Sequence, residues 1–164
     1  MRKLILVAHN IRSTHNIGSL LRTADGFGVG EVILSGYSPY PEEKNDSRLP
    51  HIYRRLTKQI NKTALGAETT VKWRHISDLA NYLQKLKKQG YTVCALEQAK
   101  GSVNLADYMP GDKIALVAGS ETSGLDSAVL DLADTCLEIP MAGQKESFNV
   151  AVAVAIALYA LSLP

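Results

Sequence analysis

The side chains able to do chemistry in this 164-residue chain sit in short polar stretches beside apolar ones. Asn16 and Arg22 lie six positions apart, after a polar run that begins at His9. Residues 119–124 (GSETSG) place Ser120 and Glu121 in a tight turn. Gln144, Lys145, Glu146, Ser147 and Asn149 cluster ahead of an unbroken apolar run, 150–161. Amides, a guanidinium and carboxylates can orient a ligand, hold an anion and steady developing charge. They do not compose the common catalytic signatures. The 119–124 turn has serines but not the G-x-S-x-G nucleophile elbow. Gly26-Phe27-Gly28 does not open a helix after a strand, so it is no dinucleotide fingerprint, and there is no P-loop. His9, His15, His51 and His75 lack zinc spacing. Cys94 and Cys136 have neither metal-ligand nor CxxC spacing and read as buried reduced thiols of a cytosolic protein.

These residues need elements to position them. Short apolar runs rich in branched residues predict strands at 3–8, 31–34, 71–76, 91–96, 113–118 and 134–139. Helices are expected at 16–27, where Ile17, Leu20, Leu21, Ala24 and Phe27 share a face, at 52–63, and from an N-cap at Ser77 to Gly90. Further helices are expected near Asp126 and from about Ser147. Residues 35–50, with Pro39, Pro41 and Pro50, read as a loop, and so do residues 97–110. The alternation predicts one α/β domain, 1–164, with a mostly parallel six-stranded sheet and helices on both faces. The N-terminus reads as a first strand and not a signal peptide. In such sheets ligands bind beyond the carboxyl ends of the strands. The loops after Ala8, Leu96, Ala118 and Ile139 lie there.

The apolar run 150–161 is too short to cross a bilayer, which takes about 20 residues. It has no polar stripe, so it must be covered on nearly every side, by the core alone or by the core and a subunit interface. The polar residues at its start are helix caps or a binding site.

Charge is unevenly spread. Lys and Arg outnumber Asp and Glu 16 to 8 in residues 1–100 and fall to 2 against 8 in residues 101–164. Between residues 48 and 74, Arg48, Arg54, Arg55, Lys58, Lys62, Lys72 and Arg74 face only Glu68. A polyanionic partner or a solvated helix face both account for this.

Three stretches, taken together, resemble the motifs of the SpoU/TrmH-type RNA ribose methyltransferases of the SPOUT class. They are Asn16-Ile-Gly-Ser-Leu-Leu-Arg22-Thr-Ala-Asp-Gly-Phe-Gly28, Gly119-Ser-Glu-Thr-Ser-Gly-Leu125, and Ile139-Pro-Met with Ser147-Phe-Asn149-Val. The resemblance implies a C-terminal segment threaded as a trefoil knot, a topology too rare for periodicity to predict. It implies S-adenosylmethionine bound at the loops after Leu96, Ala118 and Ile139. The residues concerned are Leu96, Glu97, Ala118, Gly119, Ser120, Glu121, Gly124, Ile139, Met141, Ser147 and Phe148. It also implies a homodimer through the first and last helices and methyl transfer to a ribose 2′-OH of RNA. The motifs do not select the RNA, and the reading adopted is a cytoplasmic enzyme with tRNA favoured over rRNA. No metal and no membrane are implied.

By the same resemblance Arg22 is the catalytic arginine. A guanidinium is almost always protonated, so holding phosphate and ribose and stabilising alkoxide charge suit it better than a base's role. Asn16 would support the site, Glu121 would organise its turn and Arg22, and Ser147 and Asn149 would fix the active-site geometry. Each has a plainer reading. Arg22 could be a surface arginine, Asn16 an N-cap, Glu121 a charge at the next helix's start, and Ser147 and Asn149 caps. Ala151 stands where many relatives have Ser, and no appended RNA-binding domain is seen. Arg48, Arg54, Arg55, Lys58 and Lys62 are then the candidate RNA-docking residues, with binding that weakens steeply with salt. A noncatalytic RNA-binding protein of the same fold is the alternative. Base methylation is disfavoured, because the motifs are of the ribose type.

Overall fold

The computed structural model describes residues 2–163. Strand β1 (Lys3–His9) is flanked by β2 (Glu31–Ser35) and β6 (Lys113–Ala118). The others are β3 (Trp73–Ile76), β4 (Thr92–Leu96), β5 (Val103–Asn104) and β7 (Thr135–Glu138). The order is β3-β2-β1-β6-β4-β7-β5, and every pairing is parallel. The sheet therefore has seven strands where six were expected. The extra one, β5, spans two residues inside the expected 97–110 loop, too short to show alternation.

Helices cover both faces. On one lie α1 (Thr14–Gly26), α2 (Pro50–Ala64), the short α3 (Ala67–Thr70) and α6 (Val150–Ser162); on the other lie α4 (Leu79–Lys88) and α5 (Ser127–Leu130). Burial on both faces explains the near-continuous apolar strands. Helix α1 is capped by Ser13, whose Oγ accepts from Asn16 N at 3.2 Å. Its buried stripe is Ile17, Leu20, Leu21 and Ala24. Gly18 lets α2 come close: a Cβ there would stand 2.3 Å from the Ile60 carbonyl oxygen. Helix α4 is capped by Asp78 and not by Ser77, since Asp78 Oδ1 accepts from Asn81 N at 3.0 Å.

Helix α6 starts at Val150 with Asn149 as its cap, three residues later than expected, so Ser147 and Phe148 belong to the loop before it. Val154, Ala157, Leu158 and Leu161 are buried in the core. The opposite face is not covered by the chain itself: Val152, Ile156 and Tyr159 are 48%, 37% and 59% exposed. Asn149 meets Asn16, while Tyr159 meets Phe27 edge-on at 6.5 Å, so α1 and α6 run side by side in the same direction. Among the described residues no helix is long and apolar enough to cross a membrane.

Candidate active site

Beyond the carboxyl ends of β4, β6 and β7 opens a cavity of about 570 Å³, a size usual for small-molecule sites. The turn after β4 (Leu96, Glu97, Gln98), the turn at 119–124, Ile139, and the entry to α6 from Glu146 onward wall it. The 119–124 turn closes on itself, with Ser120 N donating to Gly124 O at 3.1 Å and Gly124 N to Ser120 O at 2.9 Å. Gly124 has φ +64°, and a Cβ on it would stand 2.1 Å from Glu97 Oε2. That oxygen accepts from Leu125 N at 3.0 Å, while Glu97 Oε1 accepts from Gln98 N at 3.0 Å. Glu97 thus clasps two walls together, and only a glycine permits the approach.

The third wall is tied in through Glu121. Its Oε2 accepts from Arg12 N at 3.0 Å, and its Oε1 from Ser13 N at 3.2 Å and from Asn16 Nδ2 at 2.8 Å. Burial pushes this carboxyl's pKa up, but the donors outweigh it and hold the group below the usual carboxylate range. Asn16 is not the cap of α1, because Ser13 fills that position and leaves its amide free. Asn149 does both jobs. Its Oδ1 accepts from Ala151 N at 2.9 Å, and its Nδ2 donates to Asn16 Oδ1 at 3.2 Å.

The structure therefore gathers Asn16, Glu121 and Asn149 into one hydrogen-bonded node at the edge of the cavity. Ser147 lines the cavity, is exposed, and makes no capping bond. Ten of the eleven expected cofactor residues line the cavity; Met141, on the Ile139 side, does not. Arg22 also stands apart. It is exposed, lies roughly 120° around α1 from Asn16 at 3.6 residues per turn, and makes no hydrogen bond or ion pair with any described residue. The Glu121 carboxylate was expected to organise its turn and Arg22; it bonds instead to the α1 entry, while the turn is closed by Ser120 and Gly124.

The expected RNA-docking residues divide. Arg54, Arg55, Lys58 and Lys62 are exposed on one face of α2, without ion pairs among the described residues. Arg48 is not free: it pairs with Asp46, donates to the Tyr40 and Pro41 carbonyls, and lies 3.6 Å over the Tyr40 ring. Lys72 and Arg74 each approach Glu31 Oε1 at 3.3 Å.

Gln98 and Glu138 line the cavity although motif reading passed over them, each adjoining a stretch already singled out, and Glu146 of the polar cluster before α6 lines it too. With them a charge pattern emerges. Glu97, Glu121, Glu138 and Glu146 line the cavity, and among the described residues no lysine or arginine does.

The sequence model of the SpoU rRNA methylase family matches residues 3–159. A Staphylococcus haemolyticus protein assigned to the TrmH family of tRNA/rRNA methyltransferases is 31% identical over 155 residues. The match takes in 94% of this chain and 56% of that protein, so the chain spans little more than half the length of this relative. The fold matches an AdoMet-bound rRNA methyltransferase from Sinorhizobium meliloti with TM-score 0.80 at 23% identity, over 98% of this chain and 56% of that one. It also matches a structure from work on 2-OH methylation of C/U34 on tRNA, with TM-score 0.78 at 26% identity, over 98% and 94% of the two chains. The matched span contains every segment that walls the cavity, and the chain belongs to the SpoU rRNA methylase family.

Proposed function

We propose that this chain transfers a methyl group from S-adenosylmethionine to a ribose 2′-OH of RNA, tRNA before rRNA, acting as a homodimer. The observation that carries the reading is the cavity itself, walled by three loops, lined by four glutamates and no basic side chain, and edged by the Asn16–Glu121–Asn149 node. Such a wall favours a ligand bearing sulfonium and ammonium charge over a polyanion. Exposed Phe148 offers a ring for an adenine to lie against, and the narrow turn at Gly119 and Gly124 brings backbone groups to its edge.

When bound, the cofactor supplies a methyl carbon on sulfur; the C–S bond breaks as the O–C bond forms, leaving a neutral thioether. The chain's own residues position and neutralise. Asn16 and Asn149 hold the acceptor ribose in line, and Glu121 keeps Asn16 in place through the α1 entry. The 2′-OH proton leaves toward solvent at the open mouth. Arg22 points to solvent in the single chain, so it serves the pocket of a second copy, where it holds phosphate and steadies alkoxide charge. The uncovered stripe Val152, Ile156 and Tyr159, beside α1, supports pairing through the first and last helices. The order of β4, β7 and β5 supports the knot. The 97–110 segment passes from one side of β7 to the other, and the chain leaving β7 runs on to meet α1.

Calorimetry with S-adenosylmethionine, then incubation of total RNA with labelled cofactor and nucleoside mass spectrometry, tests this. A 2′-O-methylated nucleoside is expected. No cofactor affinity would favour the noncatalytic RNA-binding alternative, and a base-methylated product would move the reaction off the ribose.

A further inference from the structure

A second cavity, of about 590 Å³, lies on the other side of the loop that joins β1 to α1. Arg12 and Ser13 line it with their side chains' loop, while their backbone N–H groups reach Glu121 in the wall of the first cavity. One loop thus separates two chambers of opposite character. The second is lined by Arg12, His15, Arg48 and His75, and by no aspartate or glutamate among the described residues. It is also aromatic. Tyr40 and His75 stack at 4.3 Å with their planes 22° apart, and Tyr37 stands 58% exposed at the rim.

We propose that this chamber holds one unpaired nucleotide of the RNA substrate, next along the strand from the nucleotide whose ribose enters the acidic cavity. The inference rests on the RNA methyltransferase reading above. Three features carry it. First, the side chains of Arg12, His15, Tyr37 and Gln59 make no hydrogen bond with any described residue, so their donors and ring face are available. Arg48, by contrast, is committed to Asp46 and serves to fix Tyr40. Second, Gln59 lies one helical turn from Arg55 and Lys62, so the basic face of α2 runs to the chamber's rim. A backbone tracking that face is led to Arg12. Third, the walls are stiff: Asn10, at φ +57°, accepts from Tyr37 N at 3.2 Å and donates to His9 Nε2 at 3.0 Å, which locks the 36–40 turn to the β1–α1 loop.

An aromatic rim beside a cationic wall is the arrangement that takes an unstacked base and its phosphate. A duplex keeps its bases stacked on one another and cannot present one to Tyr37. The chamber therefore selects for a single-stranded or loop nucleotide, whatever its base.

The test is fluorescence anisotropy of a short single-stranded oligoribonucleotide, and of its blunt duplex, with no cofactor present. Wild type is compared with Tyr37→Ala, Tyr37→Phe and Arg12→Ala. All three change exposed side chains and leave the backbone bonds of Tyr37 and Arg12 in place. Tyr37→Ala should weaken single-strand binding roughly tenfold, with Tyr37→Phe restoring it. Arg12→Ala should lower the salt slope by about one. Cofactor affinity and duplex binding should not change. Single-strand affinity unaltered in both alanine variants would overturn the subsite, even if wild type methylates RNA. Wild type that binds single strands through Tyr37 and Arg12 but transfers no methyl group would keep the subsite and overturn the proposed reaction.

Discussion

The side-chain amide of Asn149 donates to that of Asn16 across 3.2 Å, joining the start of the last helix to the first turn of α1. One residue thereby caps a helix and holds a site together. The two roles can be separated, because aspartate caps as well as asparagine. Asn149→Asp keeps an oxygen for Ala151 N but loses the donor to Asn16. Stability should change by less than about 0.5 kcal/mol, while methyl transfer falls on the order of 100-fold. Thermal melts and turnover measured side by side decide it; undiminished turnover would reduce Asn149 to a cap.

Arg22 is exposed and unpaired among the described residues, so Arg22→Ala should alter stability by less than about 0.5 kcal/mol. Cofactor affinity should hold while turnover is lost. If Arg22 serves the partner's pocket, mixing Arg22→Ala with Asn16→Ala subunits should recover part of the activity in heterodimers, each having one intact site. Activity absent from the mixture would place Arg22's action within its own chain.

The two faces of α6 answer differently to charge. Val154 and Leu158 are fully buried in the chain's own core, and an aspartate at either should unfold it. Ile156 is 37% exposed on the opposite face. Ile156→Asp should leave a folded monomer, read by circular dichroism and sedimentation. A stable dimer from that variant would put the subunit interface elsewhere.

His9 carries a pH dependence. Its Nε2 accepts from Asn10 Nδ2 at 3.0 Å, so the ring is neutral with its proton on Nδ1, toward Ser35 Oγ at 2.9 Å. Burial holds its pKa below the usual 6.5, partly opposed by Asp126. The unfolded chain therefore binds the proton more readily than the folded one. The stabilisation is complete above about pH 7 and is lost as pH falls below 6.5 toward the folded value. Melting temperature should drop over that range, and less so in His9→Gln. Equal slopes would assign the titration to other groups.

Much of this was legible in the chain. The strands at β1, β2, β4 and β6 announce themselves because each is buried on both faces and so is apolar almost without a break. The cavity's walls were legible because glycines and polar residues interrupt those strands at their carboxyl ends. Met141 was placed in the cavity by motif and lies outside its wall, since a loop's course past a proline is not encoded by spacing. β5 was missed because two residues make no pattern.

Local pattern alone gave the alternation of strand and helix, a mostly parallel sheet, the apolar run of the last helix and the polar loops at the strand ends. Local hydrophobic period and turn chemistry are short-range properties, readable one segment at a time. Which groups touch is settled by the folded chain: Glu121 holds Asn16 and not Arg22, Asn149 reaches Asn16, and Val152, Ile156 and Tyr159 of α6 stay exposed. Those outcomes depend on pairings across 105 or more positions and on which face of a helix the core takes. Such contacts exist only after the chain has closed on itself.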